Sequence, residues 1–105
     1  MQTQNYESLV RFSAEKMQKI PLFDSEKYFC DLYCLKSGQD QKVHSHPASD
    51  KIYFVLRGRG MFHIGGEERR LGTGEAVIAR PGEAHGVRNQ EDEDLVLLVF
   101  MTPRP

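Results

Sequence analysis

The sequence lacks tryptophan, contains only two cysteines among its 105 residues, and has no large excess of either charge. Its formal net charge is -1 at pH 7. A general nucleic-acid binder usually carries a clear basic excess, so we expect no nucleic-acid partner. The longest apolar run, Leu95 to Met101, has the length of a buried strand and falls far short of the roughly 20 residues that span a bilayer. The first residues also lack the basic and apolar regions of a secretory signal, so we expect a cytoplasmic protein without a membrane partner.

The two cysteines, Cys30 and Cys34, are not expected to form a disulfide with each other. They lie in a segment that alternates like a strand, in which residues four positions apart are separated by roughly 13 Å. A disulfide requires the two Cα atoms to lie within about 7 Å. Because both cysteines share one face, we interpret them as small core residues rather than redox or metal-binding groups.

The amount of apolar sequence predicts one globular domain covering residues 1–105, since 39% of the residues are hydrophobic. Near the N-terminus the pattern indicates one helical turn from Phe12 to Met17 with Ser13 as its N-cap, after which Pro21 interrupts the chain. Only strand signals follow. The predicted strands are Tyr28 to Leu35, Gln41 to His46, Ile52 to Arg57, Met61 to Ile64, Glu67 to Leu71, Ala76 to Ala79, Gly86 to Asn89 and Leu95 to Met101. Short strands at regular intervals, separated by turns such as Gly65-Gly66, are typical of an all-β sandwich or barrel.

Three of the four histidines form a pattern that indicates metal binding. His44 and His46 are two residues apart on a predicted strand, so their imidazoles lie on the same face. Two exposed polar residues on an edge strand would give the same spacing. His85 follows a turn and begins another strand, where a closed barrel could bring it against the first pair. No such context surrounds His63, which we interpret as an ordinary surface or interface histidine.

The segment around the first pair resembles the first cupin motif, G-x5-H-x-H-x3-4-E-x6-G, with Gly38, His44, His46 and Gly58 at matching positions. The resemblance covers roughly residues 28–101. It implies a small single-domain cupin, whose all-β fold is a double-stranded β-helix or jelly-roll barrel with two Greek keys. The barrel core would occupy about residues 28–101, and residues 1–22 would form an N-terminal arm with a short helical turn or a strand.

The second cupin motif, G-x5-P-x-G-x2-H-x3-N, is similar to the segment that contains Gly74, Gly82, His85 and Asn89, although Arg80 occupies the proline position. Taken together, the two motifs imply a metal near the barrel centre. In this family two histidines and a glutamate of the first motif and one histidine of the second hold the metal. The matching histidines are His44, His46 and His85.

The glutamate of the first motif is replaced by Lys51, and an ammonium group is a poor metal ligand. Asp50 could substitute, but its side chain is shorter and points to the opposite face of a strand. We therefore expect a three-histidine site with water in its open positions. Zn, Fe, Ni, Mn and Cu are the candidate ions, because imidazole suits most of these metals.

Two further residues are candidates for substrate binding, namely Tyr53 beside the predicted site and Arg80 at its mouth. Lys51 could bind an anionic substrate or act as a base, but we favour a surface lysine whose amine is solvated at the barrel rim. The strand from Ile52 to Arg57 is apolar on both faces, which predicts a homodimer. Alternatively, the segment from Tyr6 to Leu22 covers the outer face.

The motif residues predict a metal-dependent enzyme that acts on a small molecule, of dioxygenase, isomerase or lyase type. The alternative is a non-catalytic module that binds or senses a small molecule, an interpretation favoured by the lysine in place of the glutamate. A metal-free structural barrel is a third hypothesis, and the three histidines at motif spacing argue against it.

Overall fold

Nine β-strands make up most of the chain in the computed structural model, which describes residues 1–105. The strands are β1 (Gln18–Asp24), β2 (Phe29–Leu35), β3 (Asp40–His44), β4 (Asp50–Arg57), β5 (Arg59–Ile64), β6 (Glu67–Gly72), β7 (Ala76–Ala79), β8 (His85–Arg88) and β9 (Leu95–Thr102). The single helix, α1, covers Tyr6–Leu9. The prediction of an all-β fold is confirmed, and no helix has the length and apolarity needed to cross a membrane.

The strands form two antiparallel sheets whose order interleaves early and late parts of the chain. One sheet has the order β1-β2-β9-β4-β7, and the other has the order β3-β8-β5-β6. Within β4, Lys51, Tyr53 and Val55 are buried while Ile52 and Phe54 are exposed. Because side chains alternate along a strand, this pattern assigns one face of β4 to the interior of the barrel and the other to its outside.

The main core lies between the two sheets. It contains ten buried residues, namely Tyr33, Leu35, Tyr53, Val55, Phe62, Leu71, Val87, Leu95, Leu97 and Val99. The aromatic rings of Tyr53 and Phe62 connect the two sheets, with centroids 5.4 Å apart. Burying each large apolar side chain contributes about 1.5–3 kcal/mol, so this layer supplies the main stabilisation of the sandwich.

A smaller apolar cluster lies on the outer side of the five-stranded sheet. Its buried members are Ile20, Leu32 and Cys34. The partly buried side chains that pack against it are Tyr6, Leu9, Val10, Phe12, Leu56 and Leu98. The N-terminal segment thus covers the outer face near Leu56, in agreement with the expected alternative to a dimer. It leaves Ile52 and Phe54 exposed. Both cysteines are free, which confirms that they do not pair.

The predicted helical turn from Phe12 to Met17 is wrong. The Ser13 hydroxyl does accept a hydrogen bond from the backbone N–H of Glu15, at 3.2 Å, but this contact forms a local bend instead of capping a helix. The helix lies earlier, where the Asn5 side chain accepts from the backbone N–H of Glu7 at 3.0 Å. Serine and asparagine favour both caps and turns, so the residue type alone does not distinguish them.

The strand β1 agrees with the N-terminal strand expected as the alternative to a helical turn, but its position was not predicted because Pro21 lies within it. A proline has no N–H to donate, and it is tolerated in edge strands. In the structure β1 is an edge strand that pairs only with β2, and the register shifts between Pro21 and Phe23. The proline therefore marks an irregular edge strand and not the end of regular structure.

The close approach of β3 and β8 depends on Gly86. A Cβ atom at this position would lie 2.8 Å from the backbone oxygen of Gln41 and 3.0 Å from the backbone nitrogen of Val43. Real Cβ atoms do not approach backbone so closely, so a larger residue would force the two strands apart. The residue before Gly86 is His85, which faces His44 across the same strand pair.

Replacing Gly86 by alanine is expected to destabilise the fold by about 1–3 kcal/mol, because the added methyl group overlaps the backbone of β3. Gly66→Ala is the matched control, since a Cβ there meets nothing within 4 Å. Denaturant unfolding of both variants measures the difference. Equal stability of the two variants would show that β3 and β8 can separate without cost.

Candidate metal centre

The structure brings His44, His46 and His85 together at one end of the barrel. His44 is the register partner of His85 in the β3–β8 pair, and their ring centroids lie 4.5 Å apart. The ring of His46 lies 4.9 Å from that of His44 and 5.4 Å from that of His85. One potential ligand atom from each histidine lies within 4.8 Å of the others, so a single ion could be held between them with small side-chain adjustments.

Backbone carbonyl groups determine which ring nitrogens can bind a metal. Nδ1 of His44 donates to the carbonyl oxygen of Lys42 at 2.8 Å, and Nδ1 of His85 donates to that of Glu83 at 3.0 Å. Because a carbonyl only accepts, Nδ1 carries the proton in both rings and Nε2 retains a lone pair. Such contacts are typical of metal-binding histidines.

The Nε2 atom of His85 is buried and has no hydrogen-bond partner. Leaving a buried polar group unsatisfied costs about 1–3 kcal/mol. A metal ion would satisfy this lone pair, and the other two imidazoles are close enough to share the ion. The residues present therefore fit a divalent transition metal, although the glutamate of the family motif is absent.

Burial also favours the metal-binding form of His46 and His85. Burial lowers the pKa of His85 to about 4, and the neighbouring charges of Lys51, His44 and His46 act in the same direction. Burial is also the main cause of the lowered pKa of His46, with contributions from His44 and from Lys51 and Lys19. The lowered pKa values favour the neutral form of both rings at neutral pH, and a neutral imidazole binds a metal through its free nitrogen without releasing a proton.

Lys51 is only 2% exposed, so the expectation of a solvated rim lysine is wrong. Its inward position follows from the alternation of β4, in which Lys51 shares the inner face with Tyr53. Its Nζ atom lies 5.3 Å from the ring centroid of Tyr33 and 5.2 Å from that of Tyr53. Burial, followed by the charge of Lys19, lowers the pKa of Lys51 to about 7.

The two tyrosines beneath Lys51 are connected through Gln41. The Tyr53 hydroxyl donates to Oε1 of Gln41 at 2.7 Å, and Nε2 of Gln41 donates to the Tyr33 hydroxyl at 3.1 Å. All three residues are buried, and the Tyr53 ring lies 6.3 Å from that of His85. This chain holds the two rings as a rigid floor beside the histidines.

A cavity of about 240 Å³ opens between the lysine and the histidines. The residues that line it are Lys19, Phe29, Asp31, Tyr33, His44, His46, Lys51, Met101 and Pro105. The sequence motifs did not indicate Lys19, Asp31 or Tyr33 as site residues. Asp31 and Tyr33 are two positions apart on β2, so the sequence could have indicated that they share a face. Only the fold shows that these residues and His46 line the same cavity.

The other candidate residues lie outside the histidine cluster. Nη1 of Arg80 lies 3.9 Å from Oδ1 of Asp50, and the Arg80 side chain is 66% exposed. Neither residue lines the cavity, so a contact of Asp50 with a metal or of Arg80 with a substrate stays a prediction. His63 lies on β5 and is also outside the cluster.

The buried amine of Lys51 is expected to reduce the stability of the metal-free protein. Its pKa falls from 10.5 to about 7 on folding, so the unfolded chain binds more protons between these pH values. The destabilisation is complete below pH 7 and disappears as the pH rises to 10.5. Lys51→Met should therefore stabilise the fold at pH 6.5 by at least about 1 kcal/mol, or about 4 °C in Tm.

Thermal unfolding with a chelator present, at pH 6.5 and pH 10, measures this effect. The gain should be clearly smaller at pH 10, and the exposed residue Lys16 provides the control variant Lys16→Met. A Lys51→Met variant that melts at or below the wild-type temperature at pH 6.5 would contradict the expected burial cost.

The sequence of this chain is similar to those of known proteins. The cupin domain family matches residues 31–101. The oxalate-binding protein of Thermotoga maritima is 31% identical over 67 residues, which cover 64% of this chain and 55% of that protein. The pectin degradation protein KdgF of Dickeya dadantii is 36% identical over 61 residues, covering 58% of this chain and 56% of that protein. The matches thus span little more than half of either relative.

Solved structures agree with the sequence relatives. The crystal structure of TT1209 from Thermus thermophilus has a TM-score of 0.98 and 46% identity, with 100% of both chains covered. A double-stranded β-helix protein from Klebsiella pneumoniae has a TM-score of 0.90 at 23% identity, covering 98% of this chain and 90% of that one, which supports the fold alone. From the match over residues 31–101 and the shared double-stranded β-helix, the chain belongs to the cupin family.

Proposed function

We propose that this cupin binds one divalent transition metal through His44, His46 and His85 and acts as a metal-dependent enzyme on a small molecule. The observation that carries this proposal is the buried Nε2 of His85, which has no partner and lies beside two further imidazoles. The reaction type would be that of a dioxygenase, isomerase or lyase. The candidate ions are Zn, Fe, Ni, Mn and Cu, because their affinities for imidazole overlap.

The absence of a carboxylate ligand favours a site that stays open to small molecules. Three imidazoles leave positions free on a four- to six-coordinate ion, a feature of catalytic rather than structural sites. A bound ion would supply Lewis-acid chemistry. The protein itself would position the small molecule, with Lys51 on one side and the ring of Tyr33 as part of the wall. Tyr53 would support that wall through Gln41.

The alternative function is a non-catalytic module that binds or senses a small molecule. The buried lysine supports it, because an amine close to the histidines weakens the attraction of the site for a cation. A related protein from Thermotoga maritima bears the name oxalate-binding protein, which describes binding and not turnover. In this alternative the cavity would be the same and the histidines would contact the ligand.

Purified protein without a histidine tag is expected to contain about one transition metal ion per chain, as measured by elemental analysis. His46→Ala should lower the content at least tenfold, because two imidazoles cannot hold the ion as three do. His63→Ala is the matched control, since His63 lies outside the cluster. An oxygen-uptake screen of the metal-loaded protein would then examine the dioxygenase type.

Two outcomes would contradict the metal proposal. Protein that neither contains nor takes up Zn, Fe, Ni, Mn or Cu would leave the binding module as the remaining function. Equal metal content in His46→Ala and His63→Ala would place the ion elsewhere in the chain.

We also propose that two copies of the chain associate through the outer face of β4. Ile52 and Phe54 are 37% and 36% exposed. The register places Ile52 between Ile78 and Phe100, and these side chains extend the apolar strip across three strands. Isologous dimers are the commonest oligomers, and a strip on one face of a sheet is compatible with a twofold axis.

Phe54→Lys is expected to convert the dimer to a monomer, because a charge on the outer face of β4 would have to be buried in the interface. Light scattering during size-exclusion chromatography measures the mass against the 12.0 kDa of one chain. Val43→Lys is the matched control, because Val43 is 52% exposed on the other sheet. A wild-type monomer would contradict the dimer, and dissociation by both variants would not support this interface.

A further inference from the structure

Lys51 is a buried residue whose amine has no acceptor among the protein groups. The residue is 2% exposed, yet it takes part in none of the five ion pairs and none of the side-chain hydrogen bonds of the structure. The rings of Tyr33 and Tyr53 lie 5.3 and 5.2 Å from Nζ. Aromatic faces attract an ammonium group, but they do not accept its three strong hydrogen bonds.

The unused donors face the cavity. Lys51 lines the same space as His44 and His46. The nearby hydroxyl of Tyr53 donates to Gln41, the hydroxyl of Tyr33 accepts from Gln41, and neither hydroxyl accepts a hydrogen bond from Lys51. The amine is therefore open to an acceptor in the cavity, which water or a ligand atom would supply.

The charges around the cavity favour an anionic ligand. Lys19 also lines it, with Nζ 5.3 Å from the Tyr33 ring centroid. The only acidic side chain in the lining is that of Asp31, and its burial raises its pKa despite the opposing charges of Lys19, Arg104 and Lys51. Asp31 forms no ion pair with either lysine. The two lysine side chains thus have no acidic side chain within ion-pair distance, and a bound anion would complement their charge.

The size and lining of the cavity indicate a carboxylate instead of a phosphate. Its volume of about 240 Å³ is below the range of drug-sized pockets, so it suits a ligand of a few carbon atoms. Phosphate sites typically use arginine pairs, helix N-termini or successive backbone N–H groups. The lining contains no arginine and no glycine.

We propose that Lys51, supported by Lys19, binds the carboxylate of a small organic acid whose other end faces His44 and His46, the two histidines that line the cavity. This inference rests on the proposed function, since it assumes that the histidine cluster and the cavity form one small-molecule site. Lys51 stands at the position of the metal-binding glutamate of the family motif, and in this proposal it binds the substrate carboxylate instead of the metal. A molecule with a carboxylate at one end and a polar oxygen at the other matches both ends of the site.

The test measures binding of malonate, pyruvate, malonamide and inorganic phosphate by calorimetry, in metal-free and zinc-loaded protein. Lys51→Met keeps the length and removes the charge, and its metal content and melting temperature are measured in parallel. We expect Lys51→Met to weaken malonate and pyruvate binding at least tenfold with unchanged zinc content. Lys19→Gln should weaken it two- to fivefold, and the exposed control Lys16→Gln should leave it unchanged. Malonamide, which lacks the charge, should bind wild type at least tenfold more weakly than malonate.

The outcomes separate this inference from the metal proposal. Lys51-dependent malonate binding in a protein that takes up no metal would support the carboxylate anchor and contradict the metal site. One zinc per chain with carboxylate binding that is absent, or equal in wild type and Lys51→Met, would overturn the anchor and leave the metal site intact. Phosphate binding tighter than that of both carboxylates would also overturn the assignment of the ligand class.

Discussion

The antiparallel register between β3 and β8 is the constraint on which the candidate site depends. It places His44 directly opposite His85, and their ring centroids lie 4.5 Å apart. A slip by one residue would turn one of these side chains to the outer face of the sheet. The close approach of the strands at Gly86 makes the pairing specific, since a larger residue there would meet the backbone of Gln41. The site is therefore a consequence of strand pairing, with no contribution from a flexible loop at these two positions.

Lys51 places an amine in the interior of a small barrel, where the loss of hydration destabilises its charged form. The alternation of β4 directs Lys51 inward together with Tyr53, and two aromatic rings and a cavity surround the amine. The environment lowers the pKa of the amine to about 7, which indicates that the fold does not fully compensate for its desolvation. Ionisable residues whose burial destabilises the fold often belong to a binding or catalytic site. This is the physical basis for assigning Lys51 a ligand.

Much of the fold could be predicted from local patterns, because strands with one buried face alternate visibly in sequence. β4 and β9 are examples, and Gly65 in the tight hairpin adopts a positive φ of 61° that glycine tolerates. The errors lie where two local signals compete. Pro21 concealed an edge strand, and Ser13 suggested a helix cap where the chain only bends. Edge strands and isolated turns receive little support from periodicity, so tertiary contacts decide them.

The sequence by itself determined the family resemblance and the three candidate metal ligands, because the spacing of His44 and His46 and the turn before His85 are local properties. Only the tertiary structure decided the environment of these residues. The inward burial of Lys51 and the position of Lys19 at the cavity depend on the pairing of β1 with β2 and on the packing of the two sheets. Burial, desolvation and the absence of a partner are properties of neighbours distant in sequence, so no local pattern encodes them.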